Sequence, residues 1–297
     1  MDELARLAFV PSGRCSLEDG LVPAGGLDLR AALGVDAPLL VDRFEATRAD
    51  WNHHLGAPPA PRGLADPFAT TPRATRDGDR WAWPAFCDLE EARAFAAARG
   101  MRLLTAGEWM YLAAGTGMQR FPWGKSRRQS VANTLELGLR RPVAVGTFES
   151  GRSASGCYDL VGNVMEWVEG SLPPSSGVEW VDPSAPSAMG GSYLLRMDEL
   201  WTATPQGASG RSGFACVPLS PASRSVDLGV RCAAEAEPYL RANLPRLVRD
   251  AATGERLVAI GEGWGRASLP LLEGLVESSD DGTARWALEH LLEGARR

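Results

Sequence analysis

Three short segments in the second half of the chain constrain its fold more than any other feature. Each places one or two glycines among apolar and polar side chains, and they are residues 158–167, 189–193 and 227–232. In the first segment Asp159, Asn163 and Glu166 fall at positions i, i+4 and i+7 around Gly162. One tight, glycine-containing segment therefore carries three oxygen-bearing side chains, the kind that a hard cation such as Ca²⁺ selects.

Length and composition allow a full hydrophobic core. The chain has 297 residues, of which 44% are hydrophobic, so it can form one large domain or one domain with a small appendage. The net charge is -6, and the 31 lysines and arginines are interspersed with acidic residues along the chain. They form no basic stripe, so we expect no direct binding to nucleic acid. No apolar run approaches the length of a membrane span, and the acidic N-terminus has no apolar stretch typical of a signal peptide.

The five cysteines are widely scattered, odd in number and without a C-x-x-C pair. This pattern is typical of reduced thiols that behave as small hydrophobic side chains. Disulfides persist mainly in oxidising compartments, so the pattern favours a cytoplasmic location.

The first half of the chain predicts short strands and capped helices. Residues 6–10 are an apolar run typical of a strand, and residues 39–47 predict a second strand that ends in a threonine suited to cap a helix. Asp88 followed by Glu91, and Thr105 followed by Glu108, are capping boxes that each predict a helix. These elements, with the glycine-containing segments, indicate an α+β domain over residues 1–235.

Residues 236–297 have a different composition, rich in helix formers. Leucines recur at helical spacing, and short amphipathic helices joined by an acidic turn are predicted. The pattern looks like about one and a half HEAT-type repeats, which bury their apolar faces only by stacking on neighbours. We therefore expect a small all-helical tail that docks on the first domain or on another protein.

Several segments follow one another in the same order as motifs of one known protein family. The three glycine-containing segments follow four earlier landmarks, which are residues 6–13, 44–47, 102–109 and 121–124 with Asn133. Together they resemble the formylglycine-generating enzyme, or sulfatase-modifying factor, family over roughly residues 6–234. The resemblance implies a C-type-lectin-like fold with two early helices, small twisted antiparallel sheets and much irregular backbone.

The chain departs from this family where the chemistry is expected. The copper-dependent members carry cysteines at the fourth and ninth positions after the second glycine, where this chain has Leu195 and Leu200. Leucine has no lone pair to offer Cu(I), so we expect no copper and no formylglycine-generating oxidation. The related iron-dependent sulfoxide synthases carry a His-x3-His-x-Glu motif that this chain lacks, so we also expect no iron.

The resemblance also implies a structural calcium ion. Its ligands would be Asp159, the carbonyl of Val161, Asn163 and Glu166. These donors approach, but do not reach, the six to eight oxygens that calcium takes. The alternative is that Asp159 and Asn163 cap amides of their own loop while Glu166 pairs with a nearby arginine.

Five residues are candidates for a surface groove. Ser192 matches a serine that lies beside the copper centre in active relatives, although a serine after two glycines is more often a turn residue. Tyr193 follows it, and Met165 replaces a tryptophan usual in the family. Trp180 and Trp201 flank this region in loops rich in proline, serine and glycine, and either could instead belong to the core.

Three classes of function stay open from the sequence. The first is a catalytically silent module that binds a protein or peptide partner within a larger assembly. The second is a copper-independent oxidoreductase, or another enzyme, that uses the same groove. The third is a structural scaffold subunit. Leu195 and Leu200 favour the first or third class, and the absence of a compensating cluster of His, Cys and Glu weighs against the second.

Overall fold

The computed structural model describes residues 3–15, 33–56, 80–172, 182–197, 216–249 and 253–297. The strands are β1 (Leu7–Val10), β2 (Gly13–Arg14), β3 (Gly34–Val35), β4 (Leu39–Asp42), β5 (Arg102–Leu103), β6 (Met165–Val168), β7 (Ser187–Met189), β8 (Val217–Pro218), β9 (Leu228–Val230) and β10 (Cys232–Glu235). The α-helices are α1 (Arg48–Leu55), α2 (Leu89–Ala98), α3 (Ala106–Ala114), α4 (Ala236–Arg249), α5 (Gly254–Trp264), α6 (Leu269–Ser278) and α7 (Gly282–Arg296). This mixture of helices and strands, followed by helices at the C-terminus, confirms the predicted α+β class.

Contacts divide the chain into two compact units that are not contiguous in sequence. One comprises residues 1–13, 35–43 and 233–297, and the other comprises residues 14–34 and 44–232. The C-terminal helices thus share a unit with β1 and β4. The division into domains 1–235 and 236–297 stays a prediction.

A four-stranded sheet in the larger unit brings the three glycine-containing segments together. Its strand order is β8-β7-β6-β9. β6 runs antiparallel to β7, with Glu166 opposite Met189, and parallel to β9, with Glu166 opposite Gly229. Because β6, β7 and β9 each overlap one of the segments, the sheet fixes those segments side by side around Glu166.

The predicted capping boxes begin two helices of the same unit. Asp88 accepts a hydrogen bond from the amide of Glu91 at the start of α2, and Thr105 does the same with Glu108 at the start of α3. A third box at Thr47 begins α1. Each box satisfies amides that have no partner within the helix, which explains why the helices begin at these residues.

The three helices contribute large aromatic side chains to the core. Trp51 of α1 stacks on Phe95 of α2, with ring centroids 4.5 Å apart and planes only 9° from parallel. Trp109 of α3 is fully buried. A fold with little regular structure depends on such side chains, because each removes a large apolar area from water.

The smaller unit joins an antiparallel sheet to the C-terminal helices. β4 pairs with both β1 and β10. Trp264 of α5 packs against Phe9 and donates its indole N–H to the carbonyl of Leu7 at 3.0 Å. The helical segment therefore packs on strands from the beginning of the chain, and its assignment to HEAT-type repeats stays a prediction.

Helices α5 and α7 approach closely because glycines face the contact. A Cβ atom at Gly261 would lie 2.0 Å from the carbonyl oxygen of Leu291, and one at Gly294 would lie 1.9 Å from that of Val258. No side chain larger than hydrogen fits at either position.

Among the described residues, none of these helices is both long and apolar enough to cross a membrane.

Candidate functional site

A buried ion pair lies where β6 pairs with β7 and β9. Arg231, directly after β9, donates from Nη2 to Glu166 Oε1 at 2.6 Å and from Nε to Glu166 Oε2 at 3.0 Å. Trp109 adds a hydrogen bond from its indole N–H to Glu166 Oε2 at 2.8 Å. Both oxygens of Glu166 are therefore engaged by donors from two other elements.

Asn163 holds a second buried network. Its Nδ2 atom donates to Glu45 Oε2 at 2.6 Å, and its Oδ1 atom accepts from the amide of Val143 at 3.0 Å and from Asn133 Nδ2 at 3.1 Å. Glu45 also accepts from the amide of Val164 at 3.0 Å. The sequence marks Glu45 within the landmark 44–47, but gives no sign of its role at this site.

The loop that carries these residues has unusual backbone geometry. Asp159 and Asn163 adopt φ of 57° and 54°, in the left-handed region that non-glycine residues visit rarely. Between them Gly162 has φ of 78°, and a Cβ there would lie 2.3 Å from the carbonyl oxygen of Asn133. The glycine is required both by its conformation and by this close approach.

The site contains more buried acid than buried base. Glu45, Asp159 and Glu166 are all buried, whereas Arg231 is the one buried cation beside them among the described residues. Burial raises the pKa of Glu45 well above its ordinary value, and the charges of Asp159 and Glu166 raise it further. Burial likewise raises the pKa of Asp159 to about 6, although the amide of Gly146 donates to its carboxylate at 2.7 Å.

The arrangement does not fit the calcium ion implied by the resemblance. Glu166 is paired with Arg231, both polar ends of Asn163 are hydrogen-bonded, and Asp159 accepts from a loop amide. Pairing of Glu166 with an arginine is one part of the alternative interpretation, whereas the amides that Asp159 and Asn163 accept from are those of Gly146 and Val143 and not amides of their own loop. In the described ranges no group of three or more His, Cys, Asp or Glu side chains is arranged to hold a metal. Calcium therefore stays only what the family resemblance implies, and no step below depends on it.

One buried oxygen near this loop has no hydrogen-bond partner among the residues that the structure describes. It is Oδ1 of Asn133, whose Nδ2 atom donates to the carbonyl of Arg141 at 2.9 Å as well as to Asn163. A single neutral oxygen falls far short of a calcium coordination sphere.

Ser192 is buried, and its hydroxyl both donates and accepts a hydrogen bond. Its hydroxyl donates to Asp227 Oδ2 at 2.6 Å and accepts from the amide of Leu194 at 3.2 Å. Ser225 donates to the other carboxylate oxygen of Asp227. The structure thus assigns Ser192 a turn-stabilising position, and Tyr193 beside it is also buried.

The other groove candidates have different placements. Met165 of β6 is half-buried, and Leu195 is half-buried in the turn after Ser192. The amide of Leu195 donates to the carbonyl of Ser192 at 3.1 Å, and its own carbonyl accepts from the amide of Leu135 at 2.9 Å. Trp180, Leu200 and Trp201 lie outside the described residues.

Curated proteins with similar sequences include enzymes and an inactive relative. A hercynine oxygenase of Mycolicibacterium smegmatis is 31% identical over 125 residues, which are 39% of this chain and 29% of that protein. An inactive C-alpha-formylglycine-generating enzyme 2 of Bos taurus is 32% identical over 145 residues, 42% of this chain and 46% of the relative. A formylglycine-generating enzyme of Mus musculus is 29% identical over 173 residues, which are 50% of this chain and 43% of that protein. The chain spans less than half of the length of each.

Solved structures show the same fold at low sequence identity. Treponema denticola variable protein 1 superimposes with a TM-score of 0.55 and 16% identity, over 77% of this chain and 94% of that protein. CarF superimposes with a TM-score of 0.50 and 20% identity, over 77% and 97%.

A family model described as the sulfatase-modifying factor enzyme 1-like domain matches residues 27–236, well over half of the chain. The match contains the paired Glu166 and Arg231, the Asn163 network and the turn at Ser192. The chain therefore belongs to the sulfatase-modifying factor enzyme 1-like family.

Proposed function

We propose that this chain is a catalytically silent member of its family that binds a protein or peptide partner within a larger assembly. The observation that carries the proposal is Leu195, at the position where copper-dependent members carry their first cysteine. Its alkyl side chain offers no electron pair to Cu(I). Hydrogen bonds at its amide and carbonyl hold this leucine in a defined turn.

Ser192 supports the same conclusion. A serine nucleophile needs an adjacent general base and access to its substrate. Ser192 is buried, donates a hydrogen bond to the carboxylate of Asp227 and has no histidine among its hydrogen-bond partners in the described part of the chain. Its contacts to Asp227 and Leu194 instead stabilise the turn between β7 and Leu195.

The relatives support both a silent and an active candidate. The name of the bovine relative describes an inactive formylglycine-generating enzyme, so the fold is used without that activity elsewhere. The similarity to hercynine oxygenase favours, as a second candidate, a copper-independent oxidoreductase. This chain lacks the His-x3-His-x-Glu motif, and we rank the enzyme candidate below the binding module.

The C-terminal helices contribute a further surface. Trp286 of α7 is 38% exposed, whereas Leu240, Leu244, Leu275 and Leu291 are buried. We propose that the helical segment offers a second contact for the partner or acts as a scaffold.

The five cysteines are all free, which supports a proposed cytoplasmic location.

Two experiments test the two halves of the proposal. Copper analysis of the purified chain after loading with Cu(I) should show no equimolar copper, and the double variant Leu195→Cys with Leu200→Cys is the matched control for acquired thiolates. Affinity capture of the full chain from its native cells should yield a stoichiometric protein that captures the chain in return. Tight equimolar copper in the unmodified chain, or the lack of any such protein, would contradict the corresponding half.

A further inference from the structure

A basic segment adjoins the site in sequence. Residues 118–141 contain six arginines and lysines but one acidic residue, Glu136, although the whole chain has a net charge of -6. Lys125, Arg127, Arg128 and Arg140 are exposed. Positive charge is therefore concentrated in a short stretch of an otherwise acidic protein.

This segment forms a cavity with a volume of about 540 Å³. Arg127 and Arg128 line it together with the apolar side chains of Ala132, Leu137 and Met197. The volume falls in the range of sites that hold small ligands or a few residues of a peptide. The cavity thus combines guanidinium groups with an apolar wall.

Glu136 organises this cavity from within. Its Oε1 atom accepts from the amide of Met197 at 2.8 Å and from Arg127 Nη2 at 3.2 Å. Burial would raise the pKa of Glu136, but hydrogen bonds from the Thr134 hydroxyl and from backbone amides, with the charge of Arg127, lower it overall. The carboxylate is therefore ionised at neutral pH and fixes the Met197 turn against the basic segment.

Arg127 pairs with Glu136, and Arg128 is the second guanidinium group in the lining. No other carboxylate lines the cavity in the part of the chain that the structure describes. Ser130, also in the lining, adopts φ of 56°. Strained backbone of this kind often occurs where a site holds a ligand.

We propose that this cavity binds an acidic peptide segment of a partner protein, with a carboxylate on Arg128 and a neighbouring apolar side chain against Leu137 and Met197. The inference rests on the proposed partner-binding function and identifies the site and the chemistry of that partner. Guanidinium groups suit carboxylates because their planar N–H donors match both oxygens.

The lining favours a peptide over a nucleic acid. Single-stranded nucleic acids are held by aromatic rings on which bases stack, in addition to positive charge. No aromatic side chain lines this cavity among the described residues. The apolar wall instead suits a leucine-like side chain.

Binding of a fluorescein-labelled peptide with glutamates around a central leucine tests the proposal. The full chain should bind this peptide, and its affinity should fall as the salt concentration rises. A peptide with glutamines in place of the glutamates should bind about tenfold more weakly. Arg128→Gln and Leu137→Ser should each weaken binding, whereas Arg285→Gln, which changes an exposed arginine of α7, should not. Melting temperatures confirm that each variant is folded.

Three results would overturn the inference. They are equal affinity for the glutamate and glutamine peptides, unchanged affinity of a folded Arg128→Gln variant, or tighter binding of a single-stranded oligonucleotide than of the peptide. If the native partner is captured equally by the unmodified chain and by Arg128→Gln, the inference about the cavity is wrong while the proposed function stands. If the unmodified chain captures no partner, the proposed function itself fails.

Discussion

The guanidinium of Arg231 lies against the carboxylate of Glu166, with Nη2 2.6 Å from Oε1, and neither side chain exposes more than 1% of its surface. Parallel pairing of β6 with β9 brings these residues together across 65 positions of sequence. An ion pair so deeply buried is sensitive to loss of one partner, because the remaining charge is left without compensation.

We expect Arg231→Met to lower the free energy of unfolding by about 3–5 kcal/mol. Arg93→Met is the matched control, because Arg93 makes a two-point contact with Glu169 at the surface and exposes 51% of its side chain. The control should cost about 1 kcal/mol or less. Urea unfolding measures both, and equal losses would contradict a structural role for the buried pair.

Asp159→Asn should make the protein more stable above pH 6. Burial raises the pKa of Asp159 from its ordinary value of 3.8 to about 6. Between these values the folded state binds more protons than the unfolded state. The contribution of Asp159 to the free energy of unfolding is therefore largest below about pH 4 and is lost as the pH rises through 6. Asparagine mimics the protonated acid and tolerates positive φ, so the gain at pH 7 should be about 3 kcal/mol.

Unfolding measured from pH 4 to pH 7 tests this sign, with Asp182→Asn as the control. Hydrogen bonds from the amide and hydroxyl of Ser184 lower the pKa of Asp182, so its replacement should shift stability in the opposite direction. Some decline with pH should persist in Asp159→Asn because the pKa of Glu45 is also raised. A variant less stable than the unmodified chain at pH 7 would show that ionised Asp159 is favourable.

Gly162→Ala should destabilise the fold severely. The added Cβ would lie 2.3 Å from the carbonyl oxygen of Asn133, and φ of 78° is unfavourable for alanine. Gly274→Ala in α6 is the control, because nothing lies within 4 Å of a Cβ there and alanine favours helix. Thermal melting of both variants checks the contrast, and a Gly162→Ala protein as stable as the control would contradict the described loop.

Chelation of calcium should leave the melting temperature unchanged. An ion that binds only the native state raises stability with its free concentration. Because Glu166 is paired with Arg231 and Asn163 is hydrogen-bonded at both polar ends, we expect no such dependence. A melting temperature that rises with free Ca²⁺ and falls with chelator would instead establish the site implied by the family resemblance.

Local features of this fold could be predicted from sequence, and distant pairings could not. The capping boxes at Asp88 and Thr105 depend on residues three positions apart, so their pattern is visible in the chain. The bond from Asn163 to Glu45 joins residues 118 positions apart and depends on how the strands assemble. Pairing of Glu166 with an arginine was one predicted alternative, but only the sheet register identifies Arg231.

The candidate groove shows the same limit. Residue identity alone indicates that Leu195 cannot ligate copper. Burial of Ser192 depends on its contact with Asp227, 35 positions away, and a sequence match to an active-site serine gives no sign of that contact. Met197 lines the cavity beside Arg128, and its amide reaches Glu136 across 61 positions of sequence through a hydrogen bond.

Mass spectrometry of a Cys-x-Pro-x-Arg peptide incubated with the copper-loaded chain and oxygen tests the claim of catalytic silence most directly. An active formylglycine-generating enzyme serves as the positive control. The account predicts that the peptide thiol is fully retained, because Leu195 and Leu200 stand where the copper-binding cysteines are expected. Conversion of the cysteine to formylglycine by the unmodified chain would contradict it.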